Sequence, residues 1–269
     1  MNETVGIIAG ESILPLLSCR EARRRGARTV VAAVKGLALP ELAAAADHWA
    51  EFPLGRLGGV IRFFKRHEVR RALMIGRVTH AAIFSLWTAD GKFLRFLAQV
   101  KDRTTTSLLA ALAAFFSREG IEIIDSTYFL QEHLVAAKNY TPRLRIKESL
   151  ARDIAFAWEK AWGIAALDIG QTVCVKDRAV VAVEAMEGTD RAIERAASIA
   201  GAGLVVAKVS RPSHDMRFDV PVAGLKTMAL LEECRAAAFV LEAGRTLMLD
   251  QAEMAARAAG KKIVLLGKT

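Results

Sequence analysis

The apolar run at residues 5–9 breaks at Gly10, Glu11 and Ser12, gives way to helical spacing over residues 13–25, and is followed by a second apolar run at residues 28–34. Strand, tight turn, helix and strand in that order constrain this chain more than any other feature. A helix over residues 55–67, a strand over 70–75 ending at Gly76, an alanine- and leucine-rich helix over 104–119 and a strand over 121–124 continue the alternation. Such alternation predicts a parallel, doubly wound sheet of Rossmann-like type. The turn after the first strand lacks G-x-G-x-x-G, which argues against nicotinamide binding. Its small residues serve either a tight turn or a set of backbone N–H groups facing an anion at the helix mouth.

The second half departs from that pattern. A helix over residues 148–166 carries Trp158 and Trp162 on one face, and short strands at 172–175 and 179–184 are joined hairpin-fashion by Lys176, Asp177 and Arg178. A mixed α/β domain is expected there. Periodicity is lost around Asn139, Tyr140, Thr141 and Pro142, where the residue before proline is pushed out of helical geometry. The expected division is therefore a Rossmann-like N-terminal domain at 1–135, a linker at 136–147 and a mixed domain at 148–269.

Composition narrows the partners. The 269 residues carry a net charge of +9, spread along the chain, which favours anionic partners. Cys19, Cys174 and Cys234 lack metal-ligand spacing and read as reduced thiols of a reducing compartment. No signal peptide or membrane-length apolar run is evident, so a cytoplasmic protein is expected. Residues 83–100 are apolar and aromatic with Lys92 and Arg95 interspersed. They suit core helices, and also a surface that receives acyl chains or meets a membrane.

Two stretches carry chemistry. In residues 205–227 an apolar strand ending near Lys208 gives way to alternating charge and a proline-glycine turn. In an extended segment Asp215, Arg217 and Asp219 would share one face, placing two carboxylates around a guanidinium. Such a row can hold a divalent cation and clamp a phosphate, and the same residues would make a ladder of surface ion pairs. In residues 184–191 a strand ends, Gly188 turns the chain, Thr189 caps and Asp190 opens a helix. That end is either structural or a phosphate site with an acidic residue close to a metal. His80 follows the third strand as a lone loop histidine.

Taken together, IIAGESILP, VEAMEGTDRAIERA and KVSRPSHDMRFDVPVAG resemble the LpxI-type UDP-2,3-diacylglucosamine pyrophosphatases over nearly the whole chain. The resemblance implies a magnesium-dependent hydrolase that cleaves UDP-2,3-diacylglucosamine to UMP and the lipid monosaccharide 1-phosphate of lipid A synthesis. It also implies work at the inner-membrane surface without a nucleic-acid partner, and it leaves self-association open. Asp219 then becomes metal ligand or water-orienting residue, with Asp215 and Asp190 as the other carboxylates. Arg217 and Lys208 would stabilise phosphate charge, Gly188 and Thr189 would hold a phosphate, and Gly10 and Ser12 would meet the nucleotide or sugar. The chain departs from the family pattern at Arg211-Pro212-Ser213-His214-Asp215, which makes His214 a candidate for altered substrate contact. A non-catalytic nucleotide- or lipid-binding module on the same fold is the alternative.

Overall fold

The computed structural model describes residues 3–78, 89–100, 105–212, 215–218 and 220–269. The chain divides into two compact units, the first formed by Met1–Gln131 with Asp215–Asp219 and the second by Glu132–His214 with Val220–Thr269.

In chain order the first unit contains β1 (Thr4–Ala9), α1 (Leu14–Arg24), β2 (Arg28–Val34), α2 (Leu42–Ala45), β3 (His48–Phe52), α3 (Leu57–Arg66), β4 (Arg71–Ile75), α4 (Gly91–Gln99), α5 (Thr105–Arg118) and β5 (Glu122–Ile123). All five strands are parallel, in the order β3-β2-β1-β4-β5. Past their polar first residues, Thr4 of β1, Arg28 and Thr29 of β2 and Arg71 of β4, these strands are apolar and mostly buried, as in a sheet covered on both faces. The expected doubly wound sheet is present, and its strand order reverses between β1 and β4, the switch point where ligands of such sheets bind.

At that switch point the two loops touch. Gly10 N donates to Ile75 O, and Glu11 and Arg77 exchange backbone hydrogen bonds of 2.9 Å in each direction. A Cβ on Gly10 would lie 2.6 Å from the Arg77 carbonyl oxygen, and Gly76 has φ +99°. Both positions therefore require glycine. Next to this zipper the Ser12 hydroxyl accepts a 2.9 Å hydrogen bond from Leu14 N, tying the turn to the first turn of α1.

The second unit contains α6 (Glu148–Ala166), β6 (Thr172–Lys176), β7 (Ala179–Val183), α7 (Thr189–Ala200), β8 (Val205–Lys208), β9 (Val222–Ala223), α8 (Leu225–Glu233), β10 (Ala238–Glu242), β11 (Leu247–Met248), α9 (Gln251–Gly260) and β12 (Val264–Lys268). Its sheet runs β12-β10-β8-β6-β7, parallel from β12 to β8 and antiparallel from β8 to β7. The mixed sheet is as expected, and Asp177 and Arg178 turn its hairpin with φ of +50° and +58°, the backbone of a primed turn. Side chains alternate across it. Val173, Val175, Val205 and Ala207 meet Ile154, Ala157 and Ala161 of α6, whereas Cys174, Val206, Phe239 and Leu241 meet Ile193, Met228 and Met254 of the other helices. Burial pushes the thiol of Cys174 up to about 12 and that of Cys19 up to about 11, so both are inert.

Two expectations need correction, and one strand went unread. The segment 136–147 is not a linker: Tyr140 N donates to Leu265 O, Gly267 N to Lys138 O and Leu265 N to the Thr141 hydroxyl, so the stretch is fastened along β12. β3 escapes sequence reading because His48 and Glu51 are exposed on an edge strand and erase its alternation. Residues 216–218 form a turn instead of an extended strand, and the segment belongs to the first unit. Ser126 N donates to Met216 O, the Ser126 hydroxyl lies 2.7 Å from Arg217 O and 2.8 Å from Met74 O, and Phe218 packs on the core of the first unit.

The glycine contact at the switch point can be tested directly. Gly10→Ala forces the loops after β1 and β4 apart and is expected to cost about 1–3 kcal/mol, read as a lowered denaturant midpoint at unchanged slope. Gly224→Ala, where an added Cβ meets nothing within 4 Å, serves as the control.

Candidate functional site

The candidate residues fall into two groups, one in each unit. In the second unit they gather at one end of the mixed sheet. Lys208 is the last residue of β8, and its register partner across the antiparallel pair is Thr172, so their side chains share a face. Gly188, with φ +84° and ψ 165°, turns the chain into α7, and no side chain caps that helix. Its first N–H groups are left for solvent or an anion.

A single hydroxyl joins these elements. Thr189 Oγ1 lies 3.0 Å from Lys208 Nζ, 3.1 Å from Glu184 Oε1 and 3.3 Å from Thr172 Oγ1. Lysine can only donate and the ionised carboxylate can only accept, so the Thr189 O–H points at Glu184 and its lone pairs face Lys208 and Thr172. That hydroxyl is fully used. The hydroxyl that the sequence offered as a phosphate contact is thus shared among Lys208, Glu184 and Thr172. Lys208 also donates to Val222 O at 3.2 Å.

Asp190, in the first turn of α7, binds the first turn of α8. Its Oδ1 accepts from the Thr227 hydroxyl at 2.9 Å and its Oδ2 pairs with Lys226 Nζ at 2.8 Å. Burial opposes its ionisation, but hydrogen bonds from Lys226 and Thr227 and the charges of Lys226 and Lys208 prevail and hold the carboxyl below its usual range. α8 likewise begins without a side-chain cap, at Gly224. Two uncapped N-termini thus stand around one sheet end, with Lys208 and Lys226 beside the carboxylates of Glu184 and Asp190.

Sequence reading named Gly188, Thr189, Asp190 and Lys208 here and missed Glu184, Thr172, Lys226 and Thr227 as their partners. Glu184 is held where the strand after Gly170 leaves no room: a Cβ on Gly170 would sit 1.8 Å from Glu184 O, and Glu184 N donates to Thr172 O. Its Oε2 is buried without a hydrogen-bond partner, an acceptor for an incoming N–H or O–H group. The signal for Thr172 is its position opposite Lys208, legible only once β6 and β8 are known to pair.

In the first unit Gly10 and Ser12 lie at the switch point, and Asp215 and Arg217 are anchored to the carboxyl end of β4 through Ser126. Asp215 does not flank an open guanidinium. Arg217 donates from N to Asp215 Oδ1 at 3.0 Å and from Nη2 to Oδ2 at 2.7 Å, with Nε within 3.1 Å of both oxygens, and its guanidinium lies over the Phe218 ring. The hydrogen bond to Asp215 raises the basicity of Arg217. His80, His214 and Asp219 lie outside the described residues. Among the described residues no group of three or more His, Cys, Asp or Glu side chains is placed to hold a metal ion.

A doubly wound unit with its switch point and a mixed unit presenting lysines and free helix N-termini together define an α/β protein suited to a phosphate-bearing ligand. The chain belongs to the LpxI family: the LpxI N-terminal domain matches residues 4–133 and the LpxI C-terminal domain residues 138–266. It is similar to the UDP-2,3-diacylglucosamine pyrophosphatase LpxI of Caulobacter vibrioides, with 28% identity over an alignment of 282 residues that covers 98% of this chain and 96% of the relative.

Two measurements probe the hub. Thr189→Val strips Lys208 and Glu184 of a shared partner and is expected to lower stability by about 1–3 kcal/mol, with Thr189→Ser restoring most of it in denaturant melts. Asp190 has a depressed pKa, so its contribution is present above the unfolded carboxyl value and is lost as pH falls through the folded one. The stability difference between the native protein and Asp190→Asn should therefore be largest at neutral pH and shrink in acid. A difference independent of pH would contradict the ion pair with Lys226.

Proposed function

We propose that this protein hydrolyses the pyrophosphate bond of UDP-2,3-diacylglucosamine, giving UMP and 2,3-diacylglucosamine 1-phosphate for lipid A biosynthesis. The observation that carries the reading is the match of both LpxI domains across the chain, joined to a lysine flanked by two uncapped helix N-termini. Cleaving a phosphoanhydride requires charge neutralised on two phosphates, a water in line and a stabilised leaving group. Lys208 and the N–H groups at Gly188 to Asp190 serve the first need. Asp219 orients the water, which attacks the phosphorus on the sugar side. Gly10 and Ser12 meet the nucleotide or glucosamine, and His214 is the position where substrate contacts differ from the family pattern.

Magnesium belongs to the same proposal on chemical grounds, since a divalent cation neutralises phosphate oxygens. The two described candidate carboxylates already have partners. Both oxygens of Asp190 are engaged by Lys226 and Thr227, and those of Asp215 by Arg217. The family resemblance is what assigns the metal role to Asp219 and Asp190. The same engaged carboxylates favour the second reading, a non-catalytic nucleotide- or lipid-binding module. Association with the inner-membrane surface follows from the acylated substrate and the net charge of +9, without a membrane span: no described helix is long and apolar enough to cross a bilayer.

The assay combines purified protein, UDP-2,3-diacylglucosamine and magnesium, and scores UMP. Asp219→Ala should lower kcat by at least about a hundredfold, and chelation should abolish turnover until magnesium is restored. Oxygen-18 from water should enter the lipid phosphate and not UMP. Binding of the substrate without UMP release would establish the module reading instead.

A further inference from the structure

Three cations around the entry to α7 are each matched by a carboxylate. Lys208 Nζ donates to the Thr189 hydroxyl, which donates in turn to Glu184 Oε1, so ammonium and carboxylate form an ion pair bridged by one O–H group. Lys226 pairs with Asp190 at 2.8 Å, and Arg195 pairs with Glu187, which also accepts from Ala185 N in the turn before Gly188. These positive charges are thereby offset by as many negative ones. Arg191, further along α7, is exposed, where water and salt screen its charge.

What remains to attract an anion is the helix end itself. Its unsatisfied N–H groups carry about half an elementary charge, which complements one negative oxygen better than two. Glu184 sharpens the distinction, because its Oε2 is buried without a hydrogen-bond partner. A carboxylate oxygen so placed keeps its charge unshared and little screened. It accepts from a phosphate oxygen that bears a proton and repels one that does not.

The charge state of a phosphate changes when an anhydride is cleaved. Each phosphorus of a pyrophosphate diester carries one negative charge. Water adds across the anhydride to leave two monoesters, and each can lose a further proton with a pKa of about 6. At neutral pH the product therefore bears a charge that the substrate lacked. We propose that Glu184 makes the phosphate position at α7 selective for singly charged phosphate over the doubly charged monoester, and so favours release of the product. The proposal rests on the hydrolase reading that places a substrate phosphate at Lys208 and the start of α7, and adds to it a determinant of charge state. The second charge meets the Glu184 carboxylate with no further cation to offset it, which should weaken binding about fivefold.

The test measures KM for UDP-2,3-diacylglucosamine and, by calorimetric titration, the affinity for 2,3-diacylglucosamine 1-phosphate at about pH 5 and about pH 8, on either side of the second phosphate ionisation. The proteins are the native chain and Glu184→Gln, whose amide oxygen can still accept from Thr189. The native protein is expected to hold the 1-phosphate about fivefold more weakly at the higher pH. Glu184→Gln is expected to flatten that profile and, at the higher pH, to tighten the product about fivefold more than the substrate. The native pH profile keeps the test available if the glutamine variant does not fold. Hydrolysis with a product affinity that is independent of pH, or that Glu184→Gln weakens or leaves unchanged, overturns the charge selectivity and leaves the hydrolase reading standing. Absence of hydrolysis by the native protein, with the 1-phosphate bound more weakly at the higher pH and tightened by Glu184→Gln, overturns the hydrolase reading and supports the selectivity. Neither hydrolysis nor binding of the 1-phosphate overturns both.

Discussion

A half-buried ammonium at the end of a β-strand must find oxygen atoms, and the geometry of the second unit follows from how Lys208 finds them. Its partners come from separate elements: the Thr189 hydroxyl at the start of α7 and the Val222 carbonyl in β9. Satisfying it fixes the entry of α7, and through Asp190 and Thr227 the entry of α8. A network of this kind orders the elements it joins, because each polar group removed leaves another without a partner. Lys208 Nζ bonds the first residue of one helix whose first N–H groups have no side-chain cap and lies against the strand that leads into another.

The fold was largely legible because its strongest signals are periodic and local. The runs at β1, β2 and β4 are buried on both faces, and the turn at Asp177 and Arg178 announces itself by composition. What escaped was structure set by distant partners. β3 is an exposed edge, and the stretch around Tyr140 looks like a linker until β12 is there to bind it. The alternating charges of 215–219 imitate a strand, but Asp215 can accept from the backbone N–H two residues on. That local bond competes with extension and wins once Ser126 takes the Met216 carbonyl.

The candidate site was legible to a similar depth. Gly188, Thr189, Asp190 and Lys208 come together as the motif suggested, since a glycine turn, a helix start and a strand end can be read one at a time. Glu184 and Thr172 assign the proton on Thr189, and they reach it through strand pairing that no local pattern encodes. Asp215 and Arg217 belong to the other unit and neutralise each other, which changes the meaning of that row from an open clamp to a pinned turn.

The loan of residues 215–219 to the first unit has a consequence for synthesis. The chain passes between the units at 131/132, at 214/215 and at 219/220, so neither unit is one continuous stretch. As the polypeptide leaves the ribosome, the parallel sheet of the first unit can form from its first 131 residues, but Ser126 and the apolar surface that receives Phe218 wait until β8 has also been made. Domains ordinarily fold in turn as they emerge. Here the earlier unit is finished only by a piece delivered from within the later one, which makes completion of the two a single event.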